Sequence, residues 1–214
     1  LGNCVNLTSF SIKETQGSLS GTIPTELGRL VKLTHLDLSG NTLQGSIPEH
    51  LFNMSNLQSL DLHRNNLNGT LSNRIEDLSN LESLVLQHNK LSGEIPESIE
   101  SCSKLIRLNL SDNEFRGELP STLPSSLQEI RVDRNNINGS LPLDTIRNLT
   151  NLREFHADRN RLEGEVDDAF SNTTKSRAHQ PGTQQVQWIR SCTARSHTSH
   201  RNHPSRQRVR FGSD

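Results

Sequence analysis

The stretch LTHLDLSGNTLQGSIP, Leu33–Pro48, decides the fold because it returns almost unchanged down the chain. The next copies are LQSLDLHRNNLNGTLS (Leu57–Ser72), LESLVLQHNKLSGEIP (Leu81–Pro96) and LIRLNLSDNEFRGELP (Leu105–Pro120). Looser copies run through Leu127, Ile130, Val132 and Asn135, and through Leu152, Phe155, Ala157 and Asn160. The glycines of the recurrent L-x-G-x-I-P block are Gly21, Gly45, Gly69, Gly93, Gly117, Gly139 and Gly164, separated by 24, 24, 24, 24, 22 and 25 residues. A fixed period of that size means a solenoid, in which each repeat buries its apolar face only against its neighbours.

Each half of the motif has a physical task. L-x-L alternates as a short strand must, so stacked strands place their leucines in one core and the intervening residues in solvent. The Asn that follows, at Asn41, Asn65, Asn89, Asn113, Asn135 and Asn160, offers an amide with donors and an acceptor. It can satisfy the inward-pointing backbone groups where the chain leaves the strand, and stacked copies make a ladder. Gly permits a backbone conformation closed to other residues, and the Pro after it starts a short outer segment of turns or 3₁₀ pieces. Cys4 and Cys102 share the phase of Leu30, Met54, Leu78 and Leu149, which places both in the core as small hydrophobes; about four repeats separate them, too far for a disulfide. Two local irregularities stand out: extra residues in 13–18, and a shortened outer turn at 120–127, where Pro124 suggests tightening.

These motifs resemble the plant-type subclass of leucine-rich repeats, whose pattern L-x-x-L-x-x-L-x-L-x-x-N-x-L-x-G-x-I-P spans about seven repeats over residues 1–170. The resemblance implies a right-handed α/β solenoid with a parallel sheet on its concave face and short convex segments. It also implies recognition of a protein, peptide or oligosaccharide on that face, usually outside the cell, sometimes with a co-receptor. Such repeats occur in receptor-like kinases and receptor-like proteins, in which the full-length chain is anchored in a membrane. They occur too in secreted polygalacturonase inhibitors, the alternative reading. The paired cysteines that cap secreted plant repeat domains are absent here, as are a kinase signature and an apolar run of membrane-spanning length. The chain opens at Leu1 inside a repeat and reads as a fragment of an ectodomain.

On the concave side the solvent-facing positions form columns. Charge concentrates toward the later repeats, at Arg107, Asn109, Arg131, Asp133, Arg134, His156, Asp158 and Arg159, which we take as the candidate partner-binding residues. Asp61, His63 and His88 invite a catalytic or metal reading. No acid, base and nucleophile recur at a usable spacing, however, and an open sheet excludes water poorly, so no enzyme activity, cofactor or metal is expected. Sequons at Asn6, Asn53, Asn68, Asn138, Asn148 and Asn172 point to the secretory pathway and an extracellular location.

The net charge of −1 conceals an asymmetry: residues 171–214 carry Lys175 and seven arginines against Asp214 alone. The repeat phase is lost after Phe170, so 171–214 is expected to be a disordered basic tail of non-native sequence. An intracellular scaffold with a nucleic-acid-binding arm is the further alternative, weakened by the absence of lysine runs and interleaved aromatics.

Overall fold

A computed structural model describes residues 4–15 and 19–163. Expectations for Gly164, for Asn172 and for the tail 171–214 lie outside the described residues. The strands, in chain order, are β1 Ser9–Ser11, β2 Ser20–Thr22, β3 His35–Asp37, β4 Thr42–Gly45, β5 Ser59–Asp61, β6 Asn66–Leu67 and β7 Ser83–Val85. They continue with β8 Ser92–Gly93, β9 Arg107–Asn109, β10 Glu114–Gly117, β11 Glu129–Arg131, β12 Asn136–Ile137 and β13 Glu154–His156. The odd-numbered strands form one seven-stranded sheet in sequence order, every pair parallel. Its register aligns Leu36, Leu60, Leu84, Leu108, Ile130 and Phe155 in a single row. This is a leucine-rich-repeat solenoid.

The inward residues behave as the alternation requires. Leu33, Leu36, Leu57, Leu60, Leu62, Leu81, Leu84, Leu86, Leu105, Leu108 and Leu110 are all buried in one continuous core. Burying each such side chain stabilises by roughly 1.5–3 kcal/mol. At the two ends of the described stack the equivalents (Leu7, Phe10 and Ile12; Leu152, Phe155 and Ala157) are only partly buried. Cys102 is buried as its phase requires, and burial pushes its thiol up to about 11. Cys4 is exposed, contrary to the expectation from phase, because no described repeat packs on its outer side.

The even-numbered strands form two further parallel sheets, β2–β4–β6 and β8–β10–β12, which the L-x-L reading does not anticipate. They lie along the L-x-G segments and are linked by a bridge between Thr70 and Ser92. The Gly ends each segment in the left-handed region; Gly93 has φ +81°, and a Cβ there would sit 2.7 Å from Thr70 Cγ2. Beyond it the outer segments are single 3₁₀ turns at Thr25–Arg29, Glu49–Asn53, Asn73–Asp77 and Glu97–Ser101. Pro24, Pro48 and Pro96 enter three of these, and Ser72 replaces Pro in the other, its hydroxyl accepting from Arg74 N at 3.1 Å. One segment departs from the expected 3₁₀ turns: Leu143–Asn148 is a short α-helix. Its repeat has one more residue between Pro142 and Leu149, which turns the Pro48-type closure (Leu51 N to Pro48 O) into a four-residue one (Ile146 N to Pro142 O). The shortened repeat has no helix, and Leu127 N donates directly to Pro124 O.

Between strand and Gly block runs the Asn ladder. The Asn89 amide nitrogen donates to Leu62 O and Leu86 O at 3.0 Å each, and its Oδ1 accepts from Leu67 N at 3.0 Å. Asn65 and Asn113 repeat this arrangement on either side, and Asn135 and Asn160 extend it. In the first repeat Thr15 takes the position, its hydroxyl donating to Asn41 Oδ1 at 2.6 Å. Each ladder Asn thereby ties its own repeat to the preceding one through backbone groups that no strand pairing reaches.

Candidate binding surface on the seven-stranded sheet

The exposed side of the sheet is built from four columns, two within the strands and two in the turn that follows. The first in-strand column is His35, Ser59, Ser83, Arg107, Glu129, Glu154; the second is Asp37, Asp61, Val85, Asn109, Arg131, His156. Parallel strands stand about 4.8 Å apart, so neighbours in a column can bond directly. The register brings Arg107, Arg131 and His156 together around two acids that the candidate set leaves out. Arg107 Nε donates to Glu129 Oε2 at 2.8 Å, and Arg131 Nη2 donates to Glu154 Oε2 at 2.9 Å. Arg131 Nε lies 2.8 Å from Glu129 Oε1, but its N–H is not aimed at that oxygen, so the contact is ionic without a formed hydrogen bond. His156 Nε2 closes the chain 3.6 Å from Glu154. The hydrogen bond from Arg131 holds the Glu154 carboxyl below its ordinary range.

The turn columns carry the remaining candidates. Asp133 is half-buried, and its carboxyl is pushed above the ordinary range, first by burial and then by the charge of Asp158. Arg134 donates to Asp112 Oδ1 at 3.1 Å, with His88 Nδ1 3.5 Å from the same carboxylate. Arg64 and Arg159 are exposed and have no ionic partner among the described residues. The last column is conformationally unusual: Arg64, His88, Asp112, Arg134 and Arg159 all have φ between +52° and +57°, alongside Gly40 at +65°. Left-handed backbone is costly for most such residues, yet it recurs in every described repeat, beginning with Glu14 at φ +51° after β1.

Asp61 and His63 form only a local pair, Nδ1 to Oδ1 at 2.6 Å. Among the described residues no three His, Cys, Asp or Glu converge to hold a metal ion. Of the sequons, Asn6, Asn53, Asn68, Asn138 and Asn148 are exposed and lie outside the sheet strands. Asn109, Leu110 and Ser111 spell a further sequon that the repeat reading conceals, because the triplet coincides with the L-x-L strand itself. A scan for Asn-x-Ser/Thr blind to repeat phase finds it.

A leucine rich repeat family profile matches residues 31–91 and 55–115. No curated protein matches the sequence significantly. Among solved structures, the ectodomain of the plant membrane receptor kinase GASSHO1/SCHENGEN3 from Arabidopsis thaliana, in complex with CASPARIAN STRIP INTEGRITY FACTOR 2, is 43% identical. Its TM-score is 0.71, and the match covers 73% of this chain and 19% of that one. The Arabidopsis receptor kinase HAESA, solved with the peptide hormone IDA and the co-receptor SERK1, is 32% identical with a TM-score of 0.73, covering 80% and 28%. Pollen Receptor Kinase 3 is 29% identical with a TM-score of 0.67, covering 75% and 77%. The chain is built of leucine-rich repeats of the plant type and resembles the ectodomain repeats of receptor-like kinases. It spans about a fifth of the first of these ectodomains and under a third of the second. No helix among the described residues is long and apolar enough to cross a membrane.

Proposed function

We propose that the chain is a non-catalytic recognition segment of an extracellular receptor-like protein, and that it binds a peptide or protein ligand on the exposed side of the seven-stranded sheet. The observation that carries this reading is the prearranged charge of the C-terminal strands. Guanidinium and carboxylate groups from β9, β11 and β13 are fixed against one another on a rigid backbone, so little side-chain entropy remains to be lost on binding. Arg64 and Arg159 supply guanidinium forks for carboxylates of the ligand. The similar receptor kinase HAESA, solved with the peptide hormone IDA, supports a peptide as the partner class.

The test is a screen of secreted peptides against the immobilised full-length ectodomain, read by binding kinetics. Arg131→Ala and Arg159→Ala should each weaken a captured peptide by about tenfold or more, in line with about 1.4 kcal/mol or more per lost charged contact. Retention of full affinity in both variants would remove the sheet's C-terminal half from the binding site.

A further inference from the structure

We propose that Asn109 carries an N-linked oligosaccharide, which would stand in the middle of the sheet proposed to bind ligand. The location rests on register: Asn109 lies in β9, the fifth of seven strands, with Val85 and Arg131 beside it in the same row. The other described sequons lie off this sheet, where sugars would leave it open. A glycan at Asn109 would separate the row Asp37, Asp61 and Val85 from the charged row Arg131 and His156.

The local chemistry accommodates the modification. Asn109 Oδ1 accepts from Ser111 N at 3.2 Å and from Ser111 Oγ at 2.8 Å, closing an Asx-type turn. In the repeat of β3 the same turn is closed by Asp37, whose Oδ1 accepts from Ser39 N at 3.0 Å and from Ser39 Oγ at 2.6 Å. Asp61 does likewise for His63 N at 3.1 Å. A carboxylate has no N–H, so this turn needs only the oxygen, and the Asn109 nitrogen is free of structural duty. Asn109 is half-buried, while Ser111 is buried against the turn. The nitrogen is the atom that a sugar would occupy.

Transfer takes place on the extended chain before β9 forms, so the folded turn does not oppose it. The oligosaccharide comes from a lipid diphosphate donor. A bond forms between Asn109 Nδ2 and the anomeric carbon, the carbon–oxygen bond to the diphosphate breaks, and the lipid diphosphate leaves with the electron pair. Nδ2 loses one proton. Folding then closes the Asx turn through Oδ1, which the modification leaves intact.

The inference rests on the extracellular reading above, and one experiment separates the two. Protein purified from plant cells expressing the complete coding sequence is treated with an N-glycosidase in heavy-oxygen water and digested with trypsin. The peptide Leu108–Arg116 is expected to carry Asp with heavy oxygen at position 109, with loss of most of the unmodified peptide. Ser111→Ala should abolish this mark and Ser111→Thr should keep it. If Asn53 or Asn148 is marked while Leu108–Arg116 remains unmodified, the proposal falls and the extracellular reading stands. If no sequon is marked, both fall.

Discussion

Replacing Asn89 by alanine tests whether the Asn ladder holds the solenoid together, and the hydrogen bonds allow the cost to be worked out. Leu62 O loses the Asn89 donor but keeps Asn65, and Leu86 O keeps Asn113. Only Leu67 N, which donates to Asn89 Oδ1, is left buried with no partner. An orphaned buried amide costs about 1–3 kcal/mol, and each of the two lost bonds about 0.5–1.5 kcal/mol, so the variant should be destabilised by about 2–6 kcal/mol. Entry of water into the vacated space favours the lower half of that range. Urea denaturation followed by circular dichroism measures the total, and amide hydrogen exchange at Leu67 localises it. Asn66→Ala is the control: Asn66 is exposed one residue along, and its replacement should stay within about 0.5 kcal/mol. Asn89→Asp sharpens the test, because a carboxylate would face two carbonyls. Its folded pKa would be raised, so the variant should be most stable at low pH and lose stability as pH rises through that pKa. If Asn89→Ala unfolds at the same urea concentration as Asn66→Ala, with Leu67 exchange unchanged, the ladder is not structural.

Three other outcomes follow from single sites. Gly28→Ala should destabilise by about 1–3 kcal/mol despite the usual gain from removing glycine, because its Cβ would lie 2.1 Å from His50 O and only backbone movement could relieve the contact; a melting curve reads this. Asp133→Asn should stabilise the fold at neutral pH: burial and Asp158 raise the Asp133 pKa, so its ionisation opposes folding and the opposition fades below the carboxylate range. Equal stability of the two proteins at pH 7, or a gain that persists at pH 3, would contradict the assignment. A maleimide should spare Cys102 in the folded protein and modify it once urea unfolds the chain, because its thiol is buried, raised to about 11 and donating to Ile75 O at 3.3 Å, with peptide mass spectrometry as the readout.

How much was legible in the sequence follows from what each residue answers to. The leucines of L-x-L answer to period alone, so their burial and the parallel register could be read from Leu36, Leu60, Leu84 and Leu108 without coordinates. The strands at Thr42–Gly45 and Glu114–Gly117 could not, since each places one buried residue inward (Leu43 and Phe115) and shows too short an alternation to be recognised. The helix at Leu143–Asn148 was hidden in a single added residue. For the candidate surface, the columns were readable but the connections were not. Nothing in the spacing says that Glu129 and Glu154 would join Arg107, Arg131 and His156, because that depends on rotamers across three strands. Cys4 shows the converse: its phase is right, but phase predicts burial only where another repeat lies on top.

The left-handed column separates scaffold from function most clearly. Gly40, Arg64, His88, Asp112, Arg134 and Arg159 share one backbone conformation, although only Gly40 adopts it without steric cost and the arginines are least suited to it. The backbone is therefore set by its surroundings and not by the residue. From Gly40 to Arg134 each amide donates to the carbonyl one repeat on, Gly40 N to His63 O and Arg134 N to Asp158 O among them, and the ladder Asn follows immediately. Glycine at every one of these positions would remove roughly 1–2 kcal/mol of left-handed strain, partly offset by its own entropy. The chain instead presents three arginines, a histidine and an aspartate at the edge of the sheet. Side chains kept against that cost contribute something the fold does not require, and contact with a partner is the contribution we propose for them.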